Sequence, residues 1–413
     1  MDAIAGVSSA GNAPMVVAMI YLDHHATTPC DPRVVAAMLP YFSEHFGNPS
    51  GRTHVLGKRA YEATEAARIE VAAIVTGDAD SADPREITFT SGATESVSLA
   101  IKGLAAAYPE RPRRLVVAAF EHKAVLDTAR SLERAGMQLV LVAPDAAGFV
   151  TPEAVRAAIG DGALMVCVMA AQNEVGTLQP LAAIGDVARA AGAFFFVDAS
   201  QAVGKVPVAL RAVGADIAAF TAHKLYGPKG VGALWLRRSR SGEDVRLVPQ
   251  VEGGGQERGL RAGTLNVPGI VGLGEAARIA RSELASESAR LTTLRARLLA
   301  GLRERLGAVR VTGAADDVSD GPERRLPGNL HVSFPGVEGA KLLQSLHDVA
   351  VSSGSACSSQ KLEGSHVLRA MGLPDSRIFS AVRFGLGRNT TEAEVDLAAA
   401  RVAEEVSRLR RGA

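Results

Sequence analysis

The chain has 413 residues, 47% hydrophobic and 22% charged, which excludes disorder for most of its length. Its 45 basic and 44 acidic residues leave a formal net charge of +1, so there is no electrostatic footprint for nucleic acid or an anionic membrane surface. Three cysteines, Cys30, Cys167 and Cys357, are too few and too scattered for a disulfide framework, and the sequence holds no CxxC or His/Cys cluster with metal-ligand spacing.

Residues 1–18 are small, apolar and aperiodic, and read as a disordered leader or a misassigned start, with Met15 and Met19 as alternative initiators. The apolar run from Ala13 to Leu22 is too short to span a bilayer. No lysine or arginine precedes Arg33, so neither a signal peptide nor a transit peptide is expected, and the protein reads as cytoplasmic.

From about residue 55, short apolar runs alternate with helical patterns. The runs are Glu86–Thr90, Leu115–Phe120, Gln138–Val142, Leu164–Met169, Ala193–Val197, Asp216–Phe220 and Val231–Leu236. Each is nearly continuous, as in strands buried on both faces. Helical stretches such as Glu95–Ala107, Ala124–Arg134, Pro152–Ile159 and Leu181–Ala190 fill the gaps, which predicts an α/β fold with a seven-stranded, mostly parallel sheet. The gap between Phe220 and Val231 carries Gly227, Pro228 and Gly230 and is too short for a parallel crossover. The seventh strand is therefore expected to be antiparallel, at or near an edge.

After Gly255 the texture changes. Residues 268–305 read as one or two long helices whose arginines form a solvated face. Residues 309–390 read as short strands and loops, and 391–411 as a closing helix. A break near 284 gives a large domain, 31–284, and a smaller α+β domain from 19–30 plus 285–413.

Ligands in open α/β sheets bind beyond the carboxyl ends of the strands. After the first run comes Ser91-Gly92-Ala93-Thr94-Glu95, a small-residue turn opening a helix, where backbone N–H groups and the helix dipole suit a phosphate. It is not a P-loop, because no Gly-Lys-Ser/Thr follows. The next strand ends are followed by Glu121 and His122, by Gln172, Asn173 and Glu174, by Asp198 and Gln201, and by Thr221, His223 and Lys224. Each has an ordinary reading when taken alone. Asp198 would serve as a helix cap, His122 as a structural histidine and Lys224 as a surface lysine. Together they have the layout of a pyridoxal phosphate site, with a lysine to carry the cofactor and an aspartate to keep the pyridine nitrogen protonated. Cys167 lies in an apolar strand and Cys30 beside Pro29, so both read as packing residues. Cys357 stands in the small, polar stretch Ser352–Ser359, where a thiol is open to reaction.

The same residues resemble a known family, the cysteine desulfurases of the NifS/IscS type within the class V aminotransferases. The resemblance covers about residues 20–408. It rests on Tyr21–Pro29 (YLDHHATTP), Phe46–Ser50 (FGNPS), Thr90–Ser96 (TSGATES), Glu121–Asp127 (EHKAVLD), Asn173–Gly176 (NEVG), Val197–Gly204 (VDASQAVG), His223–Gly230 (HKLYGPKG), Gly253–Thr264 (GGGQERGLRAGT), Val351–Cys357 (VSSGSAC) and Ser380–Arg388 (SAVRFGLGR). The stretch after Cys357 resembles the long cysteine loop of the group I branch.

The resemblance implies a fold-type I, PLP-dependent transferase with a Schiff base on Lys224. Ala93 and Thr94 would hold the phosphate with help from Thr221 and His223, and Thr264 would reach the phosphate of a second subunit in a homodimer. Asp198 would pair with the ring nitrogen, Gln201 with the ring hydroxyl, and His122 would stack on the ring and handle protons. Asn173 and Arg383 would hold the carboxylate of L-cysteine. Cys357 would be the nucleophile that carries sulfur to an acceptor protein, such as an iron–sulfur scaffold. No intrinsic metal is implied, Cys357 being at most a transient shared iron–sulfur ligand in a scaffold complex. The implied reaction converts L-cysteine to L-alanine, and the alternatives are a selenocysteine lyase and a class V aminotransferase. The family commonly has Ser-Gly-His-Lys where this chain has Thr221-Ala222-His223-Lys224, so the Ala222 methyl needs room. Gln172 stands where relatives often have Asn, and no role is carried onto it.

Overall fold

Apolar side chains at consecutive positions can all be buried only if a strand is covered on both faces, and this sequence meets that condition with helices on each side of one sheet. The computed structural model describes residues 19–77, 82–238, 244–315, 324–353 and 364–412. The segment 1–18 and Cys357 lie outside the described residues. The sheet is built from β1 (Ile87–Thr90), β2 (Arg114–Ala118), β3 (Gln138–Val142), β4 (Met165–Cys167), β5 (Phe194–Asp198), β6 (Ile217–Thr221) and β7 (Gly232–Leu236), in the order β1-β7-β6-β5-β4-β2-β3. Pairings among β2 to β6 are parallel, and β7 runs antiparallel to both of its neighbours. The strand expected to be antiparallel is thus second from the edge, and β1 lies outside it. Along β6, Ala218 and Phe220 pack into one core layer and Ile217 and Ala219 into the other, as the two-residue period of a strand requires.

Helices follow the strand ends that matter for chemistry. Helix α1 (Ala93–Ala107) starts two residues after β1, and α2 (Lys123–Arg134) starts with His122 as its N-cap. Helix α3 (Val267–Leu306) is one unbroken helix of 40 residues, entered through the Asn266 side chain, which accepts from the Gly269 N–H at 3.1 Å. It runs straight through position 284. Ile270 to Ala280 pack into the large core, while Leu291 to Leu302 pack into a second core with the closing helix α4 (Glu392–Arg411). The arginines of α3 are mostly solvated, as expected, but Arg295 is not. It is 7% exposed and donates to the carbonyls of Leu326 and Pro327.

The second core also receives Ile20 and Leu22 and a three-stranded antiparallel sheet. Its strands are β8 (Arg310–Val311), β9 (Asn329–Ser333) and β10 (Ala381–Gly385), with β9 in the middle. Ile20–Tyr21 pairs in parallel with Val349–Ala350. Asp23 bridges to Gly385 and Ser352 bridges to Arg383, so the start of the described chain and β10 are held beside the strand ends of the large sheet.

Candidate active site

A cavity of about 550 Å³ opens at the carboxyl ends of the large sheet. Ala93, Thr94, His122, Asn173, Asp198, Gln201, Thr221, His223, Lys224 and Arg383 all line it. Thr264 does not; in the single chain it is exposed and away from the cavity. Cys357 lies outside the described residues.

Each element delivers its side chain for a local reason. Helix α1 begins at Gly92 with no side-chain cap, so the N–H groups of its first turn are left facing the cavity. A Cβ on Gly232 would come within 2.7 Å of the Gly92 Cα, which explains the glycine where β7 passes under this turn. Asp198 ends β5; its Oδ1 accepts from the Ser200 N–H at 2.9 Å while the carboxylate lines the cavity. The cap-like contact and the cavity position coexist. His122 does two things as well. Its Nδ1 accepts from the Ala124 N–H at 3.1 Å, capping α2, which leaves the proton of the neutral ring on Nε2.

Lys224 follows β6 in the short turn Ala222–Lys224. Its Nζ donates to the carbonyls of His25 and Ala26, the latter at 2.7 Å. His223 contacts the Thr27 hydroxyl through Nδ1 at 3.1 Å; burial, with Lys224 and Lys229 adding to it, lowers its pKa to about 4 and keeps the ring neutral near pH 7. The Ala222 methyl raises no conflict. Ala222 is fully buried and belongs to the core, and a Cβ on Gly227 would meet its methyl at 2.8 Å, so the methyl occupies space that Gly227 leaves open. Gln172 shapes the turn after β4, with Oε1 accepting from the Glu174 and Val175 N–H groups and Nε2 donating to the Phe120 carbonyl.

Arg383, on β10, is 1% exposed. Nη1 donates to the Asn173 carbonyl at 2.9 Å and Nη2 to Asp23 Oδ1 at 2.7 Å. The guanidinium is therefore already oriented before any ligand carboxylate arrives.

Sequence reasoning gave no role to several of the residues around this cavity, although Glu121 and Glu174 were named after their strand ends. Asp23 and His25 stood inside the YLDHHATTP block with no role given to either. Glu174 is buried at the cavity wall and accepts from the Ser365 hydroxyl; burial raises its pKa to about 7, against the smaller pulls of Ser365 and Arg383. Glu121 is fully buried, and burial followed by the charge of Asp198 pushes its pKa well above the usual carboxylate range. His366 lines the cavity and meets the Glu121 carbonyl through Nε2 at 3.0 Å.

A lysine, an aspartate and an uncapped helix N-terminus facing one cavity in this topology have counterparts among known proteins. The family model described as aminotransferase class-V matches residues 20–397. This chain belongs to the class-V aminotransferase family. Within the family it sits with the cysteine desulfurases. It is 50% identical over 391 residues to the cysteine desulfurase IscS of Anaeromyxobacter dehalogenans, covering 95% of this chain and 93% of the relative. It is 49% identical over 391 residues to the cysteine desulfurase IscS of Methylococcus capsulatus, with the same coverage. A solved NifS-like protein superposes with a TM-score of 0.83 at 36% identity, covering 94% of this chain and 99% of that one.

Membership of the class-V family brings pyridoxal phosphate as cofactor. The residues present fit it. The uncapped first turn of α1 suits an anionic phosphate, Asp198 supplies an anion at the cavity wall for a protonated ring nitrogen, and Lys224 supplies a primary amine. Among the described residues no group of His, Cys, Asp and Glu is arranged to hold a metal ion, and no helix is long and apolar enough to cross a membrane.

Proposed function

We propose that this protein is a PLP-dependent cysteine desulfurase, converting L-cysteine to L-alanine. The observation that supports the reading most strongly is the convergence of Lys224, Asp198, His122 and Arg383 on one cavity, in a chain half identical to cysteine desulfurases. When bound, the cofactor supplies an electron sink for loss of the Cα proton.

The protein's own residues account for the rest. Arg383, held by Asp23 and the Asn173 carbonyl, would orient the substrate carboxylate, with the Asn173 side chain as its second contact. Lys224 would hold the cofactor through its primary amine, and its Nζ would take the Cα proton. Ala93 and Thr94, with Thr221 and His223, would hold the phosphate, Asp198 would pair with the ring nitrogen, Gln201 with the ring hydroxyl, and His122 would stack on the ring. His122 presents Nε2–H in the capped arrangement and so acts as a proton donor there. Cys357 thiolate attacks the substrate sulfur. The new S–S bond forms as the substrate's C–S bond breaks, leaving a persulfide on Cys357, and protonation completes alanine. An acceptor protein, such as an iron–sulfur scaffold, then takes the outer sulfur.

Two further parts of the reading concern assembly and place. Val35, Leu39 and Phe42 stand exposed at helical spacing, and Phe46 is 64% exposed just beyond. Such a stripe supports a homodimer, in which Thr264 would complete the partner's phosphate site. A cytoplasmic enzyme is proposed.

The test is incubation of the holoenzyme with L-cysteine, with alanine and sulfide measured in the presence and absence of a reductant. Alanine in equal amount to sulfur released supports the reading. A keto acid in place of alanine would favour an aminotransferase, and turnover confined to selenocysteine would favour a lyase.

A further inference from the structure

Gln201 is a cavity residue whose amide has only one possible orientation. Its Nε2 donates to the carbonyl of His25 at 2.8 Å, and a carbonyl can only accept. Its Oε1 accepts from Lys205 Nζ at 2.7 Å and lies 3.2 Å from His25 Nδ1. Since Oε1 cannot donate, His25 Nδ1 must carry the proton. His25 is 2% exposed and lines the same cavity, and its Nε2 has no partner. Burial, with Lys205, Arg383 and Lys224 adding to it, holds the His25 pKa well below the usual histidine value, and burial pushes the Lys205 amine down as well. Two donors thus converge on one end of the Gln201 amide. What the amide still offers to a ligand is the second N–H of Nε2.

We propose that His25 and Lys205 are positioning residues that fix the polarity of Gln201, so that it meets the ring hydroxyl of bound pyridoxal phosphate as an N–H donor and never as an acceptor. The inference rests on the proposed placement of Gln201 at that hydroxyl. An N–H donor stabilises the ring oxygen as an anion, whereas an amide turned the other way would oppose it. Without both donors only the main-chain carbonyl of residue 25 still selects Nε2, so turning the amide over forfeits one hydrogen bond instead of three.

The readout is the pH midpoint of the bound cofactor's visible absorption change, which needs no turnover. Two double variants are compared, Lys205→Met with His25→Phe and Lys205→Met with His25→Asn. They carry the same charge, but the Asn Nδ2 stands where His Nδ1 stood and can still donate to Oε1. The Phe pair should titrate about one pH unit higher than the Asn pair, a tenfold weaker hold on the anion. Coincident midpoints would overturn the proposal. If the Phe pair fails to load the cofactor, the single variants His25→Phe and His25→Asn are compared, with a smaller difference of the same sign expected and equality again fatal. Gln201→Leu separates the two levels. If its midpoint equals that of the wild type, Gln201 does not meet the ring hydroxyl and the underlying placement is wrong. If it shifts while the Phe and Asn variants agree, the placement stands and only the role of His25 and Lys205 is lost.

Discussion

Arg383 Nη2 donates to Asp23 Oδ1 at 2.7 Å, across 360 residues of sequence, and the Ser352 hydroxyl donates to the same oxygen at 3.0 Å. The Arg383 side chain is 2% exposed and that of Asp23 17%. A buried guanidinium needs a counter-charge, and Asp23 is the carboxylate that aims it at the cavity. Asp23→Ala should therefore raise KM for L-cysteine about tenfold while lowering kcat less, because substrate orientation is lost before chemistry is. Steady-state kinetics decide it. A lower KM would mean that Asp23 competes with the substrate carboxylate instead of positioning its partner.

Lys224 is not alone in the cavity, since Lys229 also lines it and Lys205 lies behind Gln201. Borohydride reduction of the holoenzyme followed by peptide mapping should place the pyridoxyl group on Lys224, and Lys224→Ala should abolish it. The geometry behind this is the turn after β6, which holds the amine at the carbonyls of His25 and Ala26. Label on Lys229 or Lys205 would reassign the cofactor's anchor.

Periodicity exposed the large sheet well where its strands are buried on both faces, as in β6, where the run read as Asp216–Phe220 is the fully buried strand Ile217–Thr221; the edge strand β3 departs from that expectation, with Gln138 and Leu141 exposed. It was less informative at the edges. Glu86 was read into a strand, but it ends a short 3₁₀ turn, Pro84–Glu86, and the strand starts at Ile87. Position in the sheet was harder still: β7 lies inside β1 because β1 adds to its free edge, a pairing that spans about half the large domain and leaves no local trace. The site shows the same contrast. Residues placed at or just beyond strand ends, such as Asp198 and Lys224, were legible from the strand pattern. Asp23, His25 and Lys205 act through partners distant in sequence or through an amide's orientation, and neither is encoded in local propensity. Arg295 escaped for another reason: its spacing, four residues from both Leu291 and Leu299, is that of the buried stripe, but an arginine there was read as solvated by its type, and the Leu326 and Pro327 carbonyls are what satisfy it.

Glu174 predicts a pH dependence of stability. Its pKa in the folded protein, about 7, lies above the ordinary carboxyl value of 4.5, so the native state binds the extra proton between these values. Stability from this group is fully present below the lower value and is lost as pH rises through the upper one. Glu174→Gln keeps an acceptor for Ser365 and removes the ionisation. The variant should gain on the wild type progressively from about pH 4.5 to 7, by roughly 3 kcal/mol at the plateau. Denaturant unfolding at several pH values measures the difference, and parallel curves would show that Glu174 is ionised in the native state.

Arg68 and Glu257 form a bidentate pair, both contacts at 2.7 Å, with side chains 4% and 1% exposed. Glu257 Oε2 also accepts from the Phe89 N–H, tying the Gly253–Thr264 segment to β1. Glu257→Ala would leave that N–H without its acceptor and the buried guanidinium with only Glu65 and the Ile87 carbonyl, and should cost about 3–5 kcal/mol. Chemical denaturation tests it. A loss under about 1 kcal/mol would mean that water replaces the carboxylate, as at exposed pairs.

The last prediction concerns which thiol takes the sulfur. A nucleophilic cysteine must ionise near neutral pH. Cys167 is fully buried in β4, and burial, with the nearby Glu121 adding to it, pushes its thiol well up. Cys30 is half-buried, and burial followed by the charge of Asp31 raises it too. Neither lines the cavity. Both are thus poor candidates beside Cys357, the thiol proposed as nucleophile, in the polar stretch Ser352–Ser359. Mass spectrometry after a single turnover with L-cysteine should find one extra sulfur on the Cys357 peptide and none on those of Cys30 or Cys167. Cys357→Ala should still load the cofactor and still change its absorption when L-cysteine is added, because Lys224, Asp198 and Arg383 are untouched. It should form no persulfide and should release alanine at least about a hundredfold more slowly, which corresponds to about 3 kcal/mol of barrier. Normal alanine release by that variant, or the extra sulfur on Cys30 or Cys167, would show that the thiol has been misassigned.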